Sequence, residues 1–141
     1  EKGKQYMRKR MAMVLFVLCL SMLFMGCTDA EQEEPVMISY EQISQEQAKM
    51  LMDSESDYVI LDVRTEEEFA EGHIAGAILI PDYAIKEKAE SMLPDKNQLI
   101  LVYCRSGRRS KLAASELVAL GYTNVKEFGG IIDWSYGIVK D

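Results

Sequence analysis

The chain has 141 residues, with 16 lysines and arginines against 23 aspartates and glutamates, a formal charge of −7 with its single histidine neutral. An acidic surface of this kind repels nucleic acid and anionic lipid headgroups, so neither is an expected partner. The length allows one domain with a single core, and no internal repeat or low-complexity segment appears.

The N-terminus departs from this acidity. Residues 1–6 precede the first methionine, Met7, which leaves open both the true start and whether they are native. Arg8, Lys9 and Arg10 then lead an apolar run over residues 11–26, followed by Cys27 and an acidic polar stretch. A basic segment ahead of a short apolar one predicts an export signal. The run is shorter than the roughly 20 residues that cross a bilayer as a helix. Leu23-Phe24-Met25-Gly26-Cys27 resembles a bacterial lipobox, in which a cysteine after a small residue is lipidated and becomes the mature N-terminus. The resemblance implies a signal peptide over residues 1–26, lipid on Cys27 and an acidic tether over 27–35. It also implies a lipoprotein on the extracytoplasmic face of a bacterial membrane, held there by its lipid alone.

Loss of residues 1–26 removes five basic residues and one acid, leaving 11 against 22 and a formal charge of −11. It also discards Cys19, and lipid occupies Cys27, so Cys104 is the one remaining thiol. One histidine and one thiol make neither a zinc site nor a disulfide.

The folded unit is expected over residues 36–141. Residues 36–38 read as a short strand. Ser44-Gln45-Glu46-Gln47 has capping-box spacing ahead of an apolar stretch at 48–52, which predicts a helix. Residues 58–61 read as a buried strand. Thr65-Glu66-Glu67-Glu68 opens a second short helix, which Gly72 ends. A strand at 77–80 stops at Pro81, a helix follows over 84–92, and residues 99–103 are a continuous apolar strand. A helix over 110–120 closes at Gly121, and residues 125–127 form a last strand. Strands alternating with helices predict an α/β domain with a mainly parallel central sheet flanked by helices on both faces.

The strand at 99–103 runs directly into Cys104-Arg105-Ser106-Gly107-Arg108-Arg109, and a helix follows. A strand, a tight Gly-containing loop and a helix N-terminus place a ring of backbone N–H donors around the sulfur, which favours a thiolate. Arg105, Arg108 and Arg109 crowd the same loop, so a depressed Cys104 pKa and an adjoining anion site are expected. Asp62 ends one strand and Cys104 follows another, so both are expected on the carboxyl edge of the sheet, where ligands bind. Asp62 and Arg64 are therefore candidate supporting residues, either touching the loop or its arginines or paired with each other.

The loop resembles that of the rhodanese family of single-domain sulfurtransferases, whose six-residue loop begins with the catalytic cysteine. Leu61-Asp62-Val63-Arg64, Glu68-Phe69 and Gly72-His73-Ile74-Ala75-Gly76-Ala77 are similar to further motifs of that family, as is Gly129-Gly130-Ile131-Ile132-Asp133-Trp134. The resemblance implies a rhodanese-like fold and sulfur transfer through a Cys104 persulfide, from thiosulfate or a similar anionic donor to a thiol or cyanide. Arg105, Ser106, Gly107, Arg108 and Arg109 would form the substrate loop, with Arg109 organising it and Arg105 and Arg108 facing donor or solvent. No cofactor and no metal are implied, His73 is structural, and a monomer is expected.

Two other readings fit the residues. One is a membrane-tethered module that binds or senses sulfur without turnover. The other is a phosphatase or arsenate reductase, but the related C-x5-R loops are one residue longer than Cys104 to Arg109.

Overall fold

The computed structural model describes residues 39–140. The apolar run, Cys27, the tether and the strand expected at 36–38 lie outside the described residues.

The sheet is built around β4 (Leu99–Cys104), in which every residue is buried. Its run Leu-Ile-Leu-Val-Tyr-Cys offers no polar side to solvent, as a strand covered on both faces requires. Each fully buried aliphatic side chain there contributes about 1.5–3 kcal/mol, which favours the central position. On one side lie β2 (Tyr58–Asp62) and then β3 (Ala77–Leu79); on the other, β5 (Val125–Gly130) and then β1 (Glu41–Gln42). The order is β1-β5-β4-β2-β3, and every pairing within it is parallel. β1 carries no apolar alternation to read in sequence; its two exposed residues join the sheet by backbone pairing with Lys126 and Glu127.

Alternation along β4 divides the core. Ile100, Val102 and Cys104 face α3 (Ile85–Met92) and α4 (Arg108–Ala119), where they pack with Ile85, Ala89, Ala113 and Leu117. Leu99, Leu101 and Tyr103 face the other way, into a cluster with Ala48 of α1 (Gln45–Ser54) and Phe128. Helices thus cover both faces. Both expected capping boxes form: Ser44 with Gln47 at the start of α1, and Thr65 with Glu68 at the start of α2 (Glu66–Glu71).

The chain leaves β2 outward to β3, then returns to place β4 on the opposite side of β2. Strand order reverses between β2 and β4, which opens a crevice at their carboxyl ends. Asp62 pairs in register with Tyr103, so the end of β2 and Cys104 are neighbours at that crevice.

Candidate active site

Cys104 ends β4 with its side chain turned to the α4 face, and the residue is only 1 % exposed. The chain then makes a turn that α4 completes. Gly107 is the N-cap residue of α4 and sits at φ +95°, a left-handed conformation that side chains resist. That geometry aims the Gly107 N–H at the Cys104 sulfur, 3.1 Å away. Burial pushes the thiol up. Hydrogen bonds from the Ser110 hydroxyl and from the backbone N–H groups of Ser110, Ser106 and Gly107 outweigh it, so the pKa lies below the ordinary thiol value. The direction agrees with the sequence expectation. The backbone N–H donors are those the strand-loop-helix reading expected; the Ser110 hydroxyl adds to them, and the loop arginines do not lead.

The three loop arginines separate into two kinds. Arg105 and Arg108 are exposed, whereas Arg109 is partly buried and donates from both terminal nitrogens to Glu68 of α2, at 2.7 and 2.8 Å. A bidentate pair of this geometry fixes the guanidinium plane as well as its charge. Hydrogen bonds from Arg109 hold the Glu68 carboxyl at about 2, against the opposing effect of burial. Glu68 also accepts the Thr65 N–H at 3.1 Å, so one carboxylate caps α2 and anchors the end of the loop. Arg109 is therefore bound to the protein rather than free to hold an incoming anion.

Asp62 and Arg64 are paired with each other. Both are buried, and Arg64 Nε and Nη2 donate to Asp62 at 2.7–3.0 Å while Nη2 also donates to the Gly72 carbonyl at 2.8 Å. No bond joins Asp62 to a loop arginine; the Arg64 guanidinium instead lies 5.7 Å from the centre of the Tyr103 ring. Burial leads in raising the Tyr103 hydroxyl's pKa, and the Asp62 charge adds to it, so that hydroxyl stays neutral and accepts the Ile74 N–H at 3.1 Å. The network joins the end of β2 to the turn after α2. His73 belongs to the same turn: it stacks on Phe69 at 3.8 Å between ring centres, its Nδ1 lies 3.0 Å from the Phe69 carbonyl, and its backbone pairs with Val139.

The other flank of the loop is made by β5. Val102 pairs with Glu127 but Cys104 pairs with Gly130, so β5 carries one extra residue at the site. Such a bulge re-aims side chains beside a functional centre. Gly130 lies directly under the loop: a Cβ there would meet the Arg105 oxygen at 2.2 Å and the Ser106 Cα at 2.5 Å. Of the Gly-Gly pair, only Gly129 has an unusual backbone angle, φ +91°; Gly130 is required for close approach. Glu127, 2 % exposed, accepts the Ser110 hydroxyl at 2.6 Å and the Gly129 N–H at 2.9 Å.

The site thus includes Glu68, which the sequence reading placed only in a helix cap, and Ser110 and Glu127, to which it assigned no role at the site. Glu127 left a trace, since it shares a strand face with Val125, and an acid at a core position breaks the pattern of a buried strand.

Residues 44–136 match the family described as rhodanese-like domain. The chain is similar to the thiosulfate sulfurtransferase PspE of Escherichia coli, with 41% identity over 80 residues covering 57% of this chain and 77% of the relative. It is also similar to thiosulfate sulfurtransferase 18 of Arabidopsis thaliana, 36% identical over 124 residues, covering 79% and 84%. Among solved structures, a rhodanese from Escherichia coli determined with anions is 39% identical and superimposes with a TM-score of 0.56, covering 60% of this chain and 99% of that one.

Proposed function

The chain belongs to the rhodanese-like domain family and is a rhodanese-type sulfurtransferase, and on that premise we propose that Cys104 carries the transferred sulfur. Its thiolate attacks the outer sulfur of thiosulfate or a similar anionic donor. A bond forms between the Cys104 sulfur and that atom as the donor's sulfur–sulfur bond breaks, and the electron pair leaves with sulfite. The resulting persulfide anion takes the place of the thiolate among the N–H groups of Ser106, Gly107 and Ser110, which act as an oxyanion hole acts on developing charge. An external thiol, or cyanide in an assay, then attacks the outer sulfur, and Cys104 leaves as thiolate in a ping-pong scheme.

The observation that carries this reading is the Gly107 N–H aimed at a buried sulfur from a loop of only six residues. Arg105 and Arg108, exposed on the outer side, supply the positive field that draws the donor. Asp62 and Arg64 hold the crevice wall. With Cys19 removed in the signal peptide and Cys27 lipidated, Cys104 is the one free thiol, so the acceptor is external. In the same proposal the chain is a monomeric lipoprotein: Cys27 carries lipid, residues 27–35 are the tether, and the domain faces the extracytoplasmic side of the membrane.

The test is mass spectrometry on the 141-residue chain in mild detergent, with peptide mapping of Cys104. Thiosulfate should add one sulfur atom to Cys104, cyanide should remove it, and Cys104→Ser should abolish the adduct. Persistence of the adduct in that variant would remove Cys104 from the mechanism. An adduct that neither cyanide nor thiols discharge would instead make the protein a sulfur-binding module, and hydrolysis of an aryl phosphate without any adduct would move it to phosphatase chemistry.

A further inference from the structure

The loop that holds Cys104 rests on the end of β5, and that end runs past its outer neighbour. β1 pairs with Lys126 and Glu127 and then stops; one residue on, the Ile43 N–H donates to the Glu127 carbonyl at 2.9 Å. Gly129 and Gly130 continue beyond that bond, in the stretch where the bulge breaks the register with β4. A bulged strand end with no strand on its outer side has little of its own to fix it.

The loop makes its closest contacts there. A Cβ on Gly130 would meet the backbone of Arg105 and Ser106 at 2.2–2.6 Å, and one on Gly107 would meet the Gly129 Cα at 3.5 Å. The two glycines are therefore the floor under Arg105, Ser106 and Gly107. Close-packed interiors transmit strain, so a shift of this floor passes to the Gly107 N–H that points at the sulfur from 3.1 Å.

Gln45 supplies the support that β1 does not. It is the first residue of α1, and its Nε2 donates to the Gly130 carbonyl at 2.7 Å, across 85 positions of sequence. Two residues beyond Gly130, the Ile132 N–H donates to the Arg105 carbonyl at 3.3 Å. That carbonyl shares a rigid peptide plane with the Ser106 N–H. The Gln45 amide thus holds the peptide from which the chain turns back onto the loop, while Glu127 holds Gly129 through its N–H.

We propose that Gln45 is a positioning residue for sulfur transfer: its bond to Gly130 replaces the strand partner that β1 no longer provides, fixes the floor of the loop and keeps the Gly107 N–H aimed at the Cys104 sulfur. The side chain carries no charge, and it acts on the sulfur through backbone alone.

The inference rests on Cys104 being the nucleophile, but its test reads the thiol directly, so a protein that takes up no sulfur from thiosulfate still passes or fails it. The experiment is the pH dependence of iodoacetamide alkylation at Cys104, followed by peptide mapping of the 141-residue chain in mild detergent at fixed ionic strength. Gln45→Met keeps the length of the side chain and removes the donor. Tyr122→Phe is the matched control, because it deletes a 2.8 Å bond from the Tyr122 hydroxyl to the Leu93 carbonyl at the amino edge of the sheet, away from the loop. Each variant loses one hydrogen bond to a backbone carbonyl, so both should lower the urea unfolding midpoint.

The charges about the thiol are the same in both variants. Arg105 and Arg108 lie on the outer side of the loop, Arg109 is committed to Glu68 and feels Asp82, and Asp62 is committed to Arg64. The Tyr103 hydroxyl serves Ile74, and Glu46, Lys111, Glu127 and Asp133 line the cavity behind the loop together with Gln45. Only Gln45→Met should raise the alkylation midpoint, by about 0.5 pH unit, a fraction of the roughly one to two units that a hydrogen bond to a charged group is worth.

A midpoint within about 0.1 pH unit of wild type in Gln45→Met would overturn the proposal. So would an equal rise in Tyr122→Phe, which would mark a general loosening of the domain. Loss of fold in Gln45→Met, seen by circular dichroism, would make Gln45 a stability residue and end the proposal.

Discussion

Two carboxylates hold the Cys104 loop from opposite flanks, and they do so with different chemistry. On the α2 flank, Glu68 is partly exposed and meets a guanidinium through two hydrogen bonds, so its charge is answered and its orientation fixed. On the β5 flank, Glu127 is buried and meets only a hydroxyl and an amide. The first arrangement is a brace whose strength depends on ionisation at acid pH. The second holds the Ser110 hydroxyl and the Gly129 N–H, so it ties the start of α4 to β5. The difference teaches that an acid's partner, more than its distance from the sulfur, decides what it does for the site.

The β5 flank has the less forgiving packing. Gly130→Ala places a Cβ 2.2 Å from the Arg105 oxygen, a backbone atom that cannot swing aside. The strand end or the loop must move. Overpacking of this kind should cost about 3 kcal/mol or more, read as a fall in the urea unfolding midpoint. Sulfur uptake at Cys104 should fall with it, because the N–H groups of Ser106 and Gly107 are on the displaced segment. Wild-type stability and uptake in Gly130→Ala would show that the close approach of β5 to the loop is not required.

The α2 flank should respond to pH. The Glu68 carboxyl is held at about 2, below its ordinary 4.5, mainly by hydrogen bonds from Arg109. A carboxyl lowered in the folded state stabilises the fold above its unfolded value and loses that contribution as pH falls through the folded one. The loss should therefore run from about pH 4.5 down to about pH 2. Arg109→Ala should remove most of that dependence and about 1–2 kcal/mol of stability at neutral pH, as expected for a pair between exposed and buried. It should also lower kcat/KM for thiosulfate about tenfold by loosening the end of the loop. Urea unfolding at several pH values checks the first effect and steady-state kinetics the second. If Glu68→Gln leaves the acid stability profile unchanged, the Glu68–Arg109 pair is not its source.

Much of this architecture was legible in the residues. The unbroken apolar run of β4 announces a strand covered on both faces, and the spacing of Ser44 to Gln47 and Thr65 to Glu68 places two helix starts that form with both capping bonds. The short loop after Cys104 likewise puts a glycine where a left-handed turn is needed. What sequence could not show is partner choice. Three arginines in one loop look alike in a string, yet only Arg109 faces a carboxylate, and that carboxylate lies 41 positions away. Asp62 could have served the loop or Arg64, and it accepts both the backbone N–H and the guanidinium of Arg64. The role of β5 depends on a bulge whose extra residue carries no signature beyond an acid and two glycines.

The exposed arginines give the smallest expected effect. Arg105 and Arg108 are exposed, so their influence on an anionic donor passes through water. An exposed charge interaction contributes about 0–1 kcal/mol, which limits each alanine substitution to roughly a fivefold effect at low salt. A donor that reacts only after docking feels this field on approach, so the change should fall on KM, with kcat nearly unaltered. Screening shortens the reach of such a field from about 10 Å at 0.1 M salt to about 3 Å at 1 M. The KM differences between wild type, Arg105→Ala and Arg108→Ala should therefore shrink toward zero at high ionic strength, while the Arg109→Ala defect, which is a loss of fixed geometry, should persist. The measurement is thiosulfate kinetics for the three variants at both salt concentrations. A salt-insensitive loss of kcat in Arg105→Ala or Arg108→Ala would show that the exposed arginine contacts the donor during sulfur transfer. The contrast between tied and free arginines would then fail at that residue.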